Sequence, residues 1–345
     1  MSDLNETANH LFSRREAMRP TVRTWAKHIF LLLITFFTIT LAGTLQPFGI
    51  IPIFNTSDVA EPQTWGEIGG FLLNLPIDYF NLIVHAIKEL FTNYEVFKYG
   101  ISFSISLIFI LLSHELGHYI ACRIYRVDAT LPYFLPTPPL IGPAGTFGAF
   151  IKIVSPMPSR KAVFDIGVAG PIAGFIALIP VTLIAFSTYE YDTATSEIVS
   201  GTIVFSHSLF YKFLAWVFGV NLQNAMKPNP FYFAAWVGLL VTALNLMPSG
   251  QLDGGHAIYA GFDSKIHKWT GRIVFLVMVI LAISGWFFFN SPSGVLFAII
   301  LFFMMRVGHP APIDDSPIDF KRKLIAVLTL LIFALSFMPF PIQIR

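Results

Sequence analysis

Charge is what this sequence has least of. Only 12% of its 345 residues are Asp, Glu, Lys or Arg, against about 25% in a soluble domain. So few cannot cover a water-facing surface, which excludes an ordinary soluble enzyme. Cysteine is nearly absent too. With Cys122 alone, there is no disulfide framework and no cysteine-built zinc finger. The formal net charge of +2 comes without a basic stripe, so nucleic acid is not an expected partner. What the chain has in excess is apolar: 55% hydrophobic residues, 15% aromatic and a mean hydropathy of +0.68. That excludes disorder.

The few charges divide the chain into spans, since about 20 apolar residues cross a bilayer. The first expected span, Ile29 to Leu45, follows a basic start of Arg14, Arg15, Arg19, Arg23 and Lys27. It is too long for the core of a signal peptide and has no small-residue cleavage site, so it reads as retained. The second lies between Lys98 and Arg123, the third follows Asp165 to Tyr189, and the fourth runs from Phe231 to Met247. A fifth and a sixth, the sixth short enough to be re-entrant, share the uncharged stretch from Arg272 to Arg306, broken at Asn290-Ser291-Pro292-Ser293-Gly294; a seventh follows Lys323 to Phe340. Lysine and arginine favour the cytoplasmic side. Seven crossings place Arg123, Arg126, Arg160, Lys161, Lys265, Lys268, Arg272 and Lys321 to Lys323 together there, with segments 46–97 and 190–227 outside. Six would put Lys321 to Lys323 on the wrong side. Within the first outer segment, Gly69 to Phe97 has a loosely helical apolar pattern suited to the membrane surface.

Residues Ala129 to Ile151 also lack charge, but they hold Pro132, Pro136, Pro138, Pro139 and Pro143 with Gly142, Gly145 and Gly148. No helix passes through that density of proline. Open backbone at membrane depth needs protein or a wet cavity beside it. The expectation is a re-entrant or interfacial loop whose later part, Thr146 to Val154, is able to form a short β-hairpin strand. The fold class expected is thus an all-α polytopic membrane protein of about seven transmembrane helices with a small membrane-associated β-hairpin or re-entrant loop.

The second span ends in Ser113-His114-Glu115-Leu116-Gly117-His118. Helical geometry sets His114 and His118 on one face, spaced to share a zinc ion, with Glu115 beside it to take a proton from water. Alone, each histidine would more often be a hydrogen-bonded core residue. Two of them with a glutamate inside one span make a functional site, because ionisable groups are costly in lipid. His118 lies five residues before Arg123, about 7.5 Å along the axis and within reach of cytoplasmic water. A catalytic zinc wants a third protein ligand. Asp253 is the candidate, in Asn245-x-x-Pro248-x-x-x-Leu252-Asp253-Gly254-Gly255-His256, as the one carboxylate between Glu197 and Asp263. Its competing role is a helix N-cap. His256 is a lesser candidate ligand.

At these residues the chain resembles the site-2 protease family of intramembrane zinc metalloproteases. Two further runs, Gly145-Thr146-Phe147-Gly148-Ala149 and Phe164-Asp165-Ile166-Gly167-Val168-Ala169-Gly170-Pro171-Ile172-Ala173-Gly174, are similar to its PDZ-less bacterial and plastid-type branch. The resemblance implies one Zn2+ per chain on His114, His118 and Asp253, Glu115 as general base and acid, and Asn245 as donor to substrate or oxyanion. It also implies a membrane-embedded β-structure that takes substrate in extended form. The organisation expected is an N-terminal segment, first span and outer segment over 1–97, a catalytic core over 98–262, and C-terminal helices over 263–345. The function expected is zinc-dependent endopeptidase cleavage in or near a transmembrane helix of a membrane-protein substrate, as in regulated intramembrane proteolysis. The expected location is a bacterial inner membrane, active site toward the cytoplasm, since no transit-like leader is read before the first span. A divalent-metal transporter is the alternative; it would need more intramembrane carboxylates or histidines along a path. A silent scaffold would not need Glu115. The small residues Gly167, Gly170 and Gly174 are expected to pack closely on a catalytic span, Asp165 to cap or brace the helix they lie on, and Cys122 to pack. The 36 phenylalanines read as lipid-facing bulk.

Overall fold

The computed structural model describes residues 20–53, 64–141, 143–192, 203–262, 264–307 and 311–344. Arg14, Arg15, Arg19, Gly142 and parts of the two outer segments (54–63 and 193–202) lie outside the described residues.

Side-chain caps decide where several helices start. Thr21 caps α1 (Val22–Thr44), Asn93 caps α3 (Tyr94–Ile124), and Ser159 caps α4 (Arg160–Ser187). Between the first two lies α2 (Trp65–Thr92). Ser208 caps α5 (Leu209–Phe218), which Gly219 ends in a left-handed conformation. Asn229, followed by Pro230 in the first turn, caps α6 (Pro230–Asn245). Each such cap satisfies amide donors that lack a partner inside the helix. The short α7 (Asp253–Gly261), α8 (Ser264–Phe288), α9 (Ser293–Met304) and α10 (Phe320–Ser336) complete the helices. The third helix of the expected series does not begin at Asp165; Ser159 starts it a turn and a half earlier. Helix α5 had no counterpart in the sequence reading, although its Ser208 and Gly219 mark both ends.

Among the described residues, four helices are long and apolar enough to cross a membrane: α1, α3, α4 and α8. Helices α5, α6 and α9 are apolar but shorter. Pro171 and Pro180 stand inside α4, which is tolerable where neighbouring helices re-satisfy the freed carbonyls.

Helix α4 is central, packed along α3, α6 and α7. Helix α1 covers α3 on its other flank, and α8 and α9 form a hairpin that rests on Met247 through Met278, Phe297 and Leu301. Among the described residues there are also two short antiparallel sheets. Strand β1 (Tyr133–Pro136) pairs with β2 (Thr146–Phe150), and β3 (Ile203–Phe205) pairs with β4 (Ile342–Ile344). The β1–β2 register shifts between Phe134 and Pro136, where proline cannot donate to the ladder. Strand β2 stops at Phe150, short of the expected Val154.

The core is aromatic. Phe103, Phe134, Phe164, Tyr211 and Trp236 are fully buried. The Trp236 indole donates to the Ser206 carbonyl (2.8 Å) and the Tyr211 hydroxyl to that of Tyr232 (2.7 Å), as buried polar tips require. Phenylalanine is therefore not only lipid-facing bulk. Cys122 is fully buried in a packing cluster with Phe164 and Val168.

Asn229 joins two helix ends. Its carboxamide oxygen accepts from Phe231 and Tyr232 N–H, and its Nδ2 donates to the carbonyl of Thr188, at the end of α4, at 3.2 Å. Replacing Asn229 by Ala should cost about 1–2 kcal/mol and lower the thermal midpoint in detergent. Asn229→Asp keeps the cap but not the donor and should lie between. Equal midpoints for all three proteins would remove Asn229 from this role.

Candidate metal centre

His114 and His118 stand one turn apart on α3, and both are buried along with Glu115. Their Nε2 atoms are 3.1 Å from each other. Each also faces one oxygen of Asp253: His114 Nε2 lies 3.2 Å from Oδ2, and His118 Nε2 lies 3.3 Å from Oδ1. The Nδ1–H of His118 donates to the Ile166 carbonyl at 2.7 Å. That bond fixes the tautomer and leaves the Nε2 lone pair directed at Asp253.

The donor set can be tested against a metal on its own chemistry. Its three ligand atoms lie within 4.8 Å of one another. Two imidazoles and one carboxylate suit zinc and leave a fourth tetrahedral position for water or substrate. No thiolate is present to favour a softer metal. The residues fit.

The local sequence explains how this geometry is reached. Helix α4 lies against α3 where both are small. A methyl group at Gly170 would overlap the His118 ring, and one at Gly117 would meet the Ala169 carbonyl. Gly174 lies beside the His114 ring, where an added methyl would be 3.1 Å from the His114 Cβ. The glycine face expected to serve helix packing thus also makes room for the ligand rings.

Asp253 arrives by a tight reversal. Helix α6 ends at Asn245, turns bonded from Ser249 to Met247 and from Leu252 to Ser249 follow, and α7 begins at Asp253. A side chain at Gly254 would collide with the Leu246 carbonyl, so the two segments touch backbone to backbone. Leu252 holds the N-cap position of α7 without a side-chain bond. Asp253 is therefore not the cap, and its carboxylate is turned to the histidines.

The site opens into a cleft of about 670 Å³ lined by His114, Glu115, His118, Asn245, Asp253 and residues 149–153. Asn245 Nδ2 lies 3.3 Å from His114 Nε2. The Ile151 N–H, just past β2, hydrogen-bonds the Glu115 carboxylate. That contact and the Ile166 carbonyl were missed by sequence reasoning, because a main-chain group carries no side-chain signature. His256 lines the cleft but does not belong to the three-donor cluster. Asp165, expected as a cap or brace, is not the cap. It lies inside α4 and pairs with Arg322 on α10.

Gly170→Ala should weaken zinc affinity by at least about tenfold, the usual scale for disturbing a ligand's support. Gly69→Ala, on α2 with open space around it, should leave affinity unchanged. Chelator competition on the purified proteins measures both; equal affinities would show that the close approach at Gly170 does not hold the ring.

The comparisons with known proteins agree with this chemistry. The model for peptidase family M50 matches residues 102–285. The chain is 30% identical over 275 residues to an Oryza sativa protein named probable zinc metalloprotease EGY2, chloroplastic, covering 78% of this chain and 47% of that one. It is 28% identical over 237 residues to the Arabidopsis thaliana protein named probable zinc metalloprotease EGY1, chloroplastic, covering 67% and 41%. The chain thus spans about half the length of the curated relatives it matches. Their plastid names give no support to the bacterial inner membrane expected from the sequence. With more than half of its residues matched, and with a His114, His118 and Asp253 cluster able to hold a metal ion inside the matched segment, the chain belongs to peptidase family M50, the site-2 protease family.

Proposed function

We propose that this chain is an intramembrane zinc metalloendopeptidase that hydrolyses a peptide bond in or near a transmembrane segment of another membrane protein. The observation that carries the reading is the meeting of His114, His118 and Asp253 within 4.8 Å, with the Glu115 carboxylate opening on the same cleft. Zinc, when bound there, supplies a Lewis acid for the scissile carbonyl and acidifies water toward neutral pKa.

The remaining work falls to the protein. Glu115 takes a proton from the attacking water and returns it to the leaving amine. The Ile151 N–H holds its carboxylate toward the cleft. Asn245 is near enough to the metal ligands to donate to the developing oxyanion. The substrate must come unwound, because a helical amide is locked in its own hydrogen-bond ladder. Residues 149–153 form one wall of the cleft. They give an extended substrate a strand to pair with, by β-augmentation.

Helix lengths and hydrogen bonds support the membrane placement in this reading. Helix α6 has 16 residues, about 24 Å at 1.5 Å each, short of the ~30 Å hydrocarbon layer. If it starts at the outer surface, its end at Asn245 stays below the inner one. Seven crossings are also supported by pairing. The Asn290 carbonyl accepts from Ile344, and β4 pairs with β3 of the outer segment. On the opposite side, Ile313 and Asp314 donate to Met157 and Pro158. These pairings support an alternation of α8, α9 and α10 between the two sides. A transporter would need a train of sites. Among the described residues, this triad is the one group of His, Cys, Asp or Glu that can hold an ion.

Glu115→Gln should retain zinc while cleavage of a single-span reporter in liposomes falls at least about 10²-fold, the lower end of general-base contributions. Asp253→Ala should lose both zinc and cleavage. Undiminished cleavage by Glu115→Gln would refute the mechanism.

A further inference from the structure

A side-chain cluster at the inner end of the bundle is not used by the mechanism above. The fork of Arg322, on α10, grips both oxygens of Asp165: Nε to Oδ1 at 2.9 Å and Nη2 to Oδ2 at 2.5 Å. The same Nη2 donates to the Tyr125 hydroxyl at 2.8 Å, and that hydroxyl donates to Asp165. Arg322 is held in turn by Asp319, the N-cap of its own helix. Three elements meet here. Tyr125 is the C-cap of α3, Asp165 stands on α4, and Arg322 begins α10.

The location gives the cluster its consequence. Asp165 directly precedes Ile166, whose carbonyl orients His118. Tyr125 lies seven residues past His118 at the end of the same helix. The cluster therefore ties α3 to α4 about two turns from the one inter-helix bond that sets a ligand ring. Both Arg322 and Asp165 side chains are mostly buried, at 19% and 25% exposure, and a bidentate arginine–carboxylate pair is directional. Arg322 also lies outside residues 102–285, the segment that the family model matches.

We infer that Arg322 is a positioning residue: through Asp165 and Tyr125 it locks α4 on α3 so that the Ile166 carbonyl holds the His118 ring for metal binding. The inference rests on the zinc reading above. It makes α10 part of the metal site's support, although no residue of α10 touches the site.

The test uses the purified full chain, with zinc affinity from chelator competition, the visible absorption of the cobalt-substituted protein, and helix content by circular dichroism. Arg322→Gln and Asp165→Asn should each lower metal affinity about tenfold, the scale of an outer ligand support, and alter the cobalt bands while helix content is kept. Arg322→Lys keeps the charge but not the fork and should fall between. The exchanged pair Asp165→Arg with Arg322→Asp should recover affinity relative to either single change. Native affinity and cobalt bands in Arg322→Gln and Arg322→Lys would overturn the inference and leave the zinc reading intact. Affinity lost in every variant in proportion to helix content, with no recovery in the exchanged pair, would also overturn it by showing a purely structural role. Failure of the unaltered chain to bind zinc or cobalt would overturn the zinc reading, and this inference with it.

Discussion

The closeness of α3 and α4 is the constraint on which the site depends. A bond to one ring nitrogen orients the other, and His118 is tied to a main-chain carbonyl of the neighbouring helix. That bond needs the helices in contact at Gly170, where any side chain would occupy the ring's place. Small residues in lipid-spanning helices ordinarily serve packing. Here the same substitution of hydrogen for methyl serves packing and ligand geometry together, so the two roles cannot vary separately.

Depth is the second constraint. A hydrolase in a bilayer needs water, and a bare backbone reversal needs polar company. The short α6 and its turn to α7 meet both needs. They bring Asn245 and Asp253 to one cleft, whose wall is shared by helical residues and by the strand-like segment 149–153. Glu115 lies between the candidate metal ligands and that segment, next to His114 and bonded to the Ile151 amide.

The chemistry was more legible in the sequence than the framework around it. His114, Glu115 and His118 stand out because helical spacing turns a short pattern into a shared face, and Asp253 because it is isolated in an apolar stretch. The long spans follow from charge-free length alone. Pairings across large separations were not legible. Nothing local in Ile203 to Phe205 points to Ile342 to Ile344, and nothing in Asp165 points to Arg322, 157 residues away. Asp165 read as a helix start because it is the last charge before a long apolar run; the capping hydroxyl of Ser159 won, since it satisfies an amide that no apolar pattern registers. The phenylalanines could not be sorted by composition, because lipid and protein interior are equally apolar.

Zinc-edge X-ray absorption on the purified chain tests the central claim most directly. The account predicts one zinc per chain with two imidazole nitrogens at about 2.0–2.1 Å, oxygen in the remaining positions and no sulfur, and loss of one imidazole when His118 is replaced by Ala. A sulfur shell, or two imidazoles that persist in the His118→Ala protein, would contradict it.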